Sequence, residues 1–320
     1  MSHEVETMAY TNEVPWHGLG FSVDQDKVSG PEGVEYMLNA AKLNWLVDTE
    51  PLYRANGEKI SSRALVRKSD DRFLGVVGTA YVPVQNHQAF SFFNEFVTAG
   101  DARMETAGSL RGGRYVWGLA NLGESFKLAG NDEVKGYLLV GSPHENGKSL
   151  IMKFTPIRVV CNNTLTFALN DPSSNSKSGK ATSIIKRAHR SEFDASAVES
   201  AKISLGIARE QMDEFKSQAV LLSNKKIGVD DSLKVLTPIF APEYKGELVQ
   251  ELVPPTLKRL LDINRNAPGA QPGTAWGLLN AATYYLDHSA RRSPDSRLTS
   301  AWFGHGASQK VKLMKILLDA

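Results

Sequence analysis

The sequence predicts an α+β protein: a central antiparallel sheet with a β-β-β-α core and hairpins, followed by a mainly helical C-terminal part. Three observations predict it. Between residues 44 and 84 the apolar residues alternate in short runs separated by polar turns, the period of strands. Two later pairs of such runs flank "RGG" (111–113) and "HENGK" (144–148), where the glycines and Asn146-Gly147 supply hairpin turns. From residue 194 onward the apolar residues recur at steps of three and four, the period of helices.

The elements follow in order. "GPEGVEYMLNAAKL" (30–43) has a proline near its start and helical apolar spacing, so it is the first helix. "NWLVDTEPLY", "SRALVRK" and "FLGVVGTAYVPV" are three strands, with "SDDR" (69–72) turning the second into the third. "NHQAFSFFNEFV" (86–97) is a helix with Asn86 as N-cap and Phe90, Phe93 and Val97 on one face. "ARMETAGSL" and "RYVWGLANL" form one hairpin, and "VKGYLLVGSP" and "SLIMKFTPIRVVC" the next. The polar run 170–183 is a loop.

In 194–223, Val198, Ala201, Leu205, Ala208, Met212, Phe215, Ala219 and Leu222 form a heptad-like seam. The first reading is a helix packed on its own sheet, and the sharper alternative is an oligomer seam. A short Asp-capped helix is expected at 228–236. Pro254-Pro255 divides 246–263 into two helices. Thr274 caps a helix over 273–288, and 308–320 closes the chain. The change from strands to helices puts a domain boundary near residue 190, giving a β-rich part (1–190) with a basic surface and a helical part (191–320) that packs on it or makes oligomer contacts.

At 320 residues and 42% hydrophobic, the chain has the composition of a globular protein with a sizeable core. No apolar run approaches the roughly 20 residues that span a bilayer. The acidic "MSHEVETMAY" lacks the features of a secretory signal, and one cysteine makes no internal disulfide. A soluble protein of the host cytoplasm, without a membrane partner, is expected. Charge is uneven. Residues 1–60 carry 4 Lys and Arg against 10 Asp and Glu, residues 61–190 carry 17 against 10, and residues 191–320 carry 16 against 15. A basic middle fits a nucleic-acid surface, and it also fits a face that balances an acidic neighbour.

Motifs for catalysis are missing from the sequence. The histidines at 3, 17, 87, 144, 189, 288 and 305 have no metal-ligand spacing. "GSLRGGRYVWG" (108–118) lacks the Lys-Ser/Thr of a phosphate loop. The pairs Asp70-Asp71, Asp132-Glu133 and Asp230-Asp231 fall in turns and caps. Cys161 reads as a small buried residue where a strand becomes a helix, with Asn163 as the N-cap. A nucleophile is the alternative, since its histidine partner need only be near in space. No enzyme activity, cofactor or metal is expected.

The cations carry more information. Arg63, Arg67, Lys68 and Arg72 lie along one hairpin, and Arg111 and Arg114 flank the next turn beside Tyr115 and Trp117. Lys153 and Arg158 follow on later strands, and Lys186, Arg187 and Arg190 follow the polar loop. Binders of single strands need cations for phosphates and flat side chains for bases. Alternation puts Tyr115 and Trp117 on one face, and for Trp117 that face is expected to be the core.

"PWHGLG" (15–20), "YVPVQNHQAFSFF" (81–93), "GGRYVWGLANL" (112–122), "RVVCNNTL" (158–165), "RAHR" (187–190) and "TAWGLLNAATYYLDH" (274–288) together resemble the phage/plasmid-like protein family, the domain of unknown function numbered 932. The resemblance runs over about residues 10–290. It implies a mobile-element context near recombination or defence genes and brings no activity with it. At the level of fold, the strand and helix order resembles single-strand annealing recombination proteins, which hold single-stranded DNA in rings or filaments; fold alone does not fix function. The expectation is a homo-oligomeric, single-stranded DNA-binding protein that anneals strands. The alternative is a non-enzymatic factor that binds a host defence or recombination protein.

Overall fold

The computed structural model describes residues 5–11, 20–128, 132–158, 163–164, 184–188, 196–267, 270–290, 300 and 304–319. The fold is α+β. Its strands are β1 (Val5–Tyr10), β2 (Phe21–Ser22), β3 (Val47–Tyr53), β4 (Lys59–Arg67), β5 (Arg72–Val77), β6 (Arg103–Leu110), β7 (Tyr115–Leu128), β8 (Asp132–Pro143), β9 (Ser149–Arg158), β10 (Asn163–Thr164) and β11 (Ile184–Ala188). Its helices are α1 (Gly33–Ala40), α2 (Asn86–Ala99), α3 (Ser196–Asn224), α4 (Val229–Phe240), α5 (Pro255–Asn266), α6 (Ala275–Tyr284) and α7 (His305–Asp319).

The strands form two sheets. The larger runs β10-β9-β8-β7-β6-β1-β2, with β11 also paired to β9. It is mixed, because β1 pairs β2 in parallel and β6 antiparallel. The smaller is β3-β4-β5, antiparallel throughout. The three strands of the expected β-β-β-α core are therefore a sheet of their own. Strand β1 escapes a reading by period because "VETMAY" alternates only weakly and opens an acidic terminus.

The chain divides into two compact units. One comprises 1–123, 137–154 and 179–209, and the other 124–136, 155–178 and 210–320. Each gathers pieces distant in sequence.

In the first unit, α2 packs its Phe90, Phe93, Phe96 and Val97, all buried, beneath β6 and β7. The approach is close: a Cβ on Gly118 would lie 2.6 Å from Phe90 Cε1. Trp117 is 1% exposed and belongs to this core, as its alternation suggested. The cap of α2 differs from expectation. Gln85 is the N-cap, its backbone N–H donating to Gln88 Oε1 at 2.9 Å, and its side-chain amide pairs with the backbone of Val47. Asn86 is the first helical residue, buried, and donates to Leu43 O at 2.8 Å. At the other end Gly100 (φ 79°) gives the left-handed turn that closes a helix.

In the second unit, Trp276 of α6 is fully buried and donates from Nε1 to Asp132 Oδ2 at 2.8 Å. Phe215 of α3 packs against Trp276 and Phe126. Thr274 caps α6 by accepting from Gly277 N. Met212, Phe215, Ala219 and Leu222, the second half of the expected seam, are buried within this unit. That half is consumed by the chain's own core. The 246–263 stretch holds one helix, starting at Pro255. Gly228, with no side chain, stands at the N-cap of α4, while Asp230 and Asp231 sit in its first turn. Asn163 lies on β10, paired with Arg158 of β9, where a helix start was expected. Cys161 lies outside the described residues.

Candidate nucleic-acid interface

The cations of the smaller sheet lie beside carboxylates. Arg67, 6% exposed, donates from Nη1 and Nη2 to Glu6 at 2.7 Å each, from Nε to Asp70 Oδ1 at 2.8 Å and from Nη2 to Asp70 Oδ2 at 2.6 Å. Its guanidinium also lies over the Trp45 ring, 5.2 Å from the centroid. Arg72 Nη1 reaches Glu6 Oε1 at 3.0 Å, and Lys68 Nζ reaches Glu50 Oε1 at 3.0 Å and Asp71 Oδ1 at 4.0 Å. Arg63, half-buried, donates to Thr49 O at 3.0 Å. The paired forks leave Arg67 no free edge with which to grip a phosphate. It is a structural arginine, and this corrects its place in the expected phosphate-binding set. Arg63, Lys68 and Arg72 share their charge with neighbours.

The titration of this network follows from its geometry. The Asp70 hydrogen bond, then that of Glu6, holds the Arg67 guanidinium well above its ordinary range. Asp70, hydrogen-bonded to Arg67, is brought down to about 2. Burial pushes the Glu6 carboxyl up, but hydrogen bonds from Arg67 and Ser109 and the charges of Arg67 and Arg72 outweigh it, and the net direction is down.

The β6–β7 turn stands over the same network. Arg111, Gly112 and Gly113 have φ of 55°, 66° and 88°, three successive left-handed residues. Gly113 is obligatory on space as well: a Cβ there would lie 2.9 Å from Arg67 Nη1 and 3.3 Å from the Trp45 ring. Arg111 Nη1 lies 3.7 Å from Glu145 Oε1, and Arg114 is exposed. Beneath them His144, fully buried, meets Asn86 Oδ1 at 3.0 Å through Nε2 and packs against Trp45 with centroids 5.3 Å apart. Tyr115 is 8% exposed, so neither it nor Trp117 offers a stacking surface for a base. Burial, with the nearby Glu145 charge, pushes the hydroxyls of Tyr81 and Tyr115 well above the usual phenol range.

The remaining cations gather on β9 and β11. Register sets Ile184 opposite Lys153, Lys186 opposite Ile151 and Arg187 opposite Leu150. On β9, Leu150, Met152 and Phe154 are buried while Ile151 and Lys153 are half-buried, so one face is the core and the other is partly open. Lys153 and the register position of Lys186 belong to the partly open face. Neither strand contains an Asp or Glu. Arg158 ends β9, beside Asn163 of β10. Arg190 lies outside the described residues.

Sequence reasoning found the cations and missed their partners. The acidic 1–60 segment beside a basic 61–190 segment was the available signal, and Glu6 and Glu50 are its structural expression. Among the described residues, no group of three or more His, Cys, Asp or Glu is placed to hold a metal ion, and no helix is long and apolar enough to cross a membrane.

A protein-family model described as a domain of unknown function, DUF932, matches residues 73–302, well over half of the chain. Neither the curated proteins nor the solved structures contain a match to it.

Proposed function

We propose, from the premise that the chain belongs to the DUF932 family of domains of unknown function, that it is a non-enzymatic single-stranded DNA-binding protein of a phage or plasmid that anneals complementary strands. One observation carries this reading: β11 returns beside β9 and sets Lys153 and the register position of Lys186 on one partly open face, in two strands that contain no Asp or Glu, while the register position of Arg187, opposite Leu150, falls on the other face. Such a strip suits a phosphate backbone, whose binding rests on cations that displace condensed counterions. Arg111 and exposed Arg114, at a turn, add to the set. In this mechanism the strip holds phosphates and leaves base edges free for pairing, and assembly of copies repeats it along the strand.

The test is a polarisation titration with a labelled single-stranded oligonucleotide at low and high salt. Binding should weaken steeply with salt. Replacing Lys153 or Lys186 by alanine should weaken binding to all sequences alike and lower the salt slope by about 1 for each phosphate no longer neutralised. Lys68→Ala, which removes a cation already paired with Glu50, should change binding little. Salt-independent binding, or binding indifferent to the β9–β11 replacements, overturns the reading.

A second reading, a factor that binds a host defence protein, draws on Leu221 and Leu252 in the helical unit, 52% and 60% exposed. It requires capture of one host protein together with indifference to DNA.

A further inference from the structure

Among the described residues the smaller sheet has two edges, and they are built differently. Edge strand β3 carries exposed Asp48 and Glu50 and, beside them, Pro51. Charges and a proline are the ordinary means by which an edge is kept from pairing with another chain. Edge strand β5 has neither a charge nor a proline from Phe73 to Val77, "FLGVV", and shares with β3 only a register shift. Phe73 and Val76 are 50% and 47% exposed, while Leu74 and Val77 are buried beneath. A register shift sets Phe73 opposite Val66 and Val76 opposite Ala64. Phe73 and Val76, three residues apart, therefore stand on one face. A Cβ built on Gly75 or Gly78 would meet nothing within 4 Å, so the backbone is open there.

We propose that β5 is the edge along which two copies of this chain pair, antiparallel about a two-fold axis between Leu74 and Gly75, making one six-stranded sheet from two three-stranded ones. The occupant follows from self-complementarity. In this register Phe73 of one copy lies opposite the partner's Val76, and symmetry repeats the contact. An aromatic beside a β-branched residue is a favourable cross-strand pair, and both exposed side chains are covered at once. Any other register leaves Phe73 and Val76 without each other. The proposal rests on the assembly part of the function proposed above. It supplies a surface for assembly in place of the α3 seam, whose second half is buried in its own unit.

The test is sedimentation of the full chain, without nucleic acid, over a wide range of concentration. A concentration-dependent dimer is expected. Phe73→Lys and Val76→Lys should each weaken association by about tenfold or more, while Tyr53→Lys, an equally exposed site on β3, should not. In a Cys161→Ser background, a mixture of Phe73→Cys and Val76→Cys chains should oxidise to a linked dimer that neither chain forms alone. A monomer at every concentration, a dimer indifferent to both lysines, equal loss with Tyr53→Lys, or an unlinked mixture overturns the proposal. DNA enters none of these measurements, so their failure is distinct from failure of DNA binding.

Discussion

Arg67 and Glu6, 61 residues apart in the chain, meet through two hydrogen bonds of 2.7 Å each, and Asp70 closes the same guanidinium from the other side at 2.6 Å. The pair ties the N-terminal strand β1 to the end of β4, across two different sheets. It is the feature that most changes how the basic half of this protein is read.

Removing the arginine leaves Glu6 and Asp70 facing each other with only the half-exposed Arg72 beside them. Arg67→Met should therefore cost about 1–3 kcal/mol of stability, the range for losing hydrogen bonds between charged groups, since the carboxylates left behind are 22% and 43% exposed. Arg72→Met, at an arginine whose side chain is 47% exposed, should cost under about 1 kcal/mol. Urea unfolding of the two variants checks the contrast, and equal losses would contradict the structural role given to Arg67.

The same network sets a dependence on pH. The carboxyls of Glu6 and Asp70 both titrate below their ordinary values, Asp70 at about 2. A folded-state pKa below the unfolded one gives stability that is present above about pH 4 and lost as pH falls toward the folded value. The melting temperature of the wild type should fall between about pH 4 and pH 2. Arg67→Met should show a shallower fall over that window, having less carboxylate stabilisation to lose. Parallel curves would count against it.

Lys310 and Asp287 form a second paired site, 1% and 4% exposed in their side chains and 2.5 Å apart, where α7 meets the π-helical turn after α6. Burial holds the Lys310 ammonium below its ordinary range, although the Asp287 charge and hydrogen bond act in the other direction. Lys310→Met alone should cost about 3–5 kcal/mol because it strands a buried carboxylate. Lys310→Met with Asp287→Leu should recover most of that loss, since apolar replacement of both partners removes the desolvation cost. Chemical denaturation of the single and double variants reads the difference.

Gly118 tests the core under the large sheet. Gly118→Ala places a methyl against Phe90, which is fully buried with Phe93 beside it. Overpacking of this kind costs about 1–3 kcal/mol. Gly75→Ala, where the Cβ meets open space, should cost far less, and a thermal melt of each separates them.

Much of the local architecture was legible in the sequence. The strands β3 to β9, the helix after "VPVQ" and the Thr274 cap all announce themselves through period, turn chemistry and capping, properties carried by a few neighbouring residues. Small errors came where two residues could do one job. Gln85 caps α2 in place of Asn86 because its amide also pairs with Val47, a partner 38 residues away.

By itself the sequence determined the α+β class, the succession of elements, the family resemblance and the location of the cations. Tertiary structure decided what those cations face. Glu6 reaches Arg67 and Arg72 because β1 pairs with β6, and Glu50 reaches Lys68 because β3 pairs with β4. Lys153 and Lys186 fall in one strip because β11 returns to β9. Periodicity is a local property and reads directly from the chain. Apart from the near neighbours Asp70 and Asp71, charge pairing here depends on which distant strands share hydrogen bonds, and no window of neighbouring residues encodes that choice.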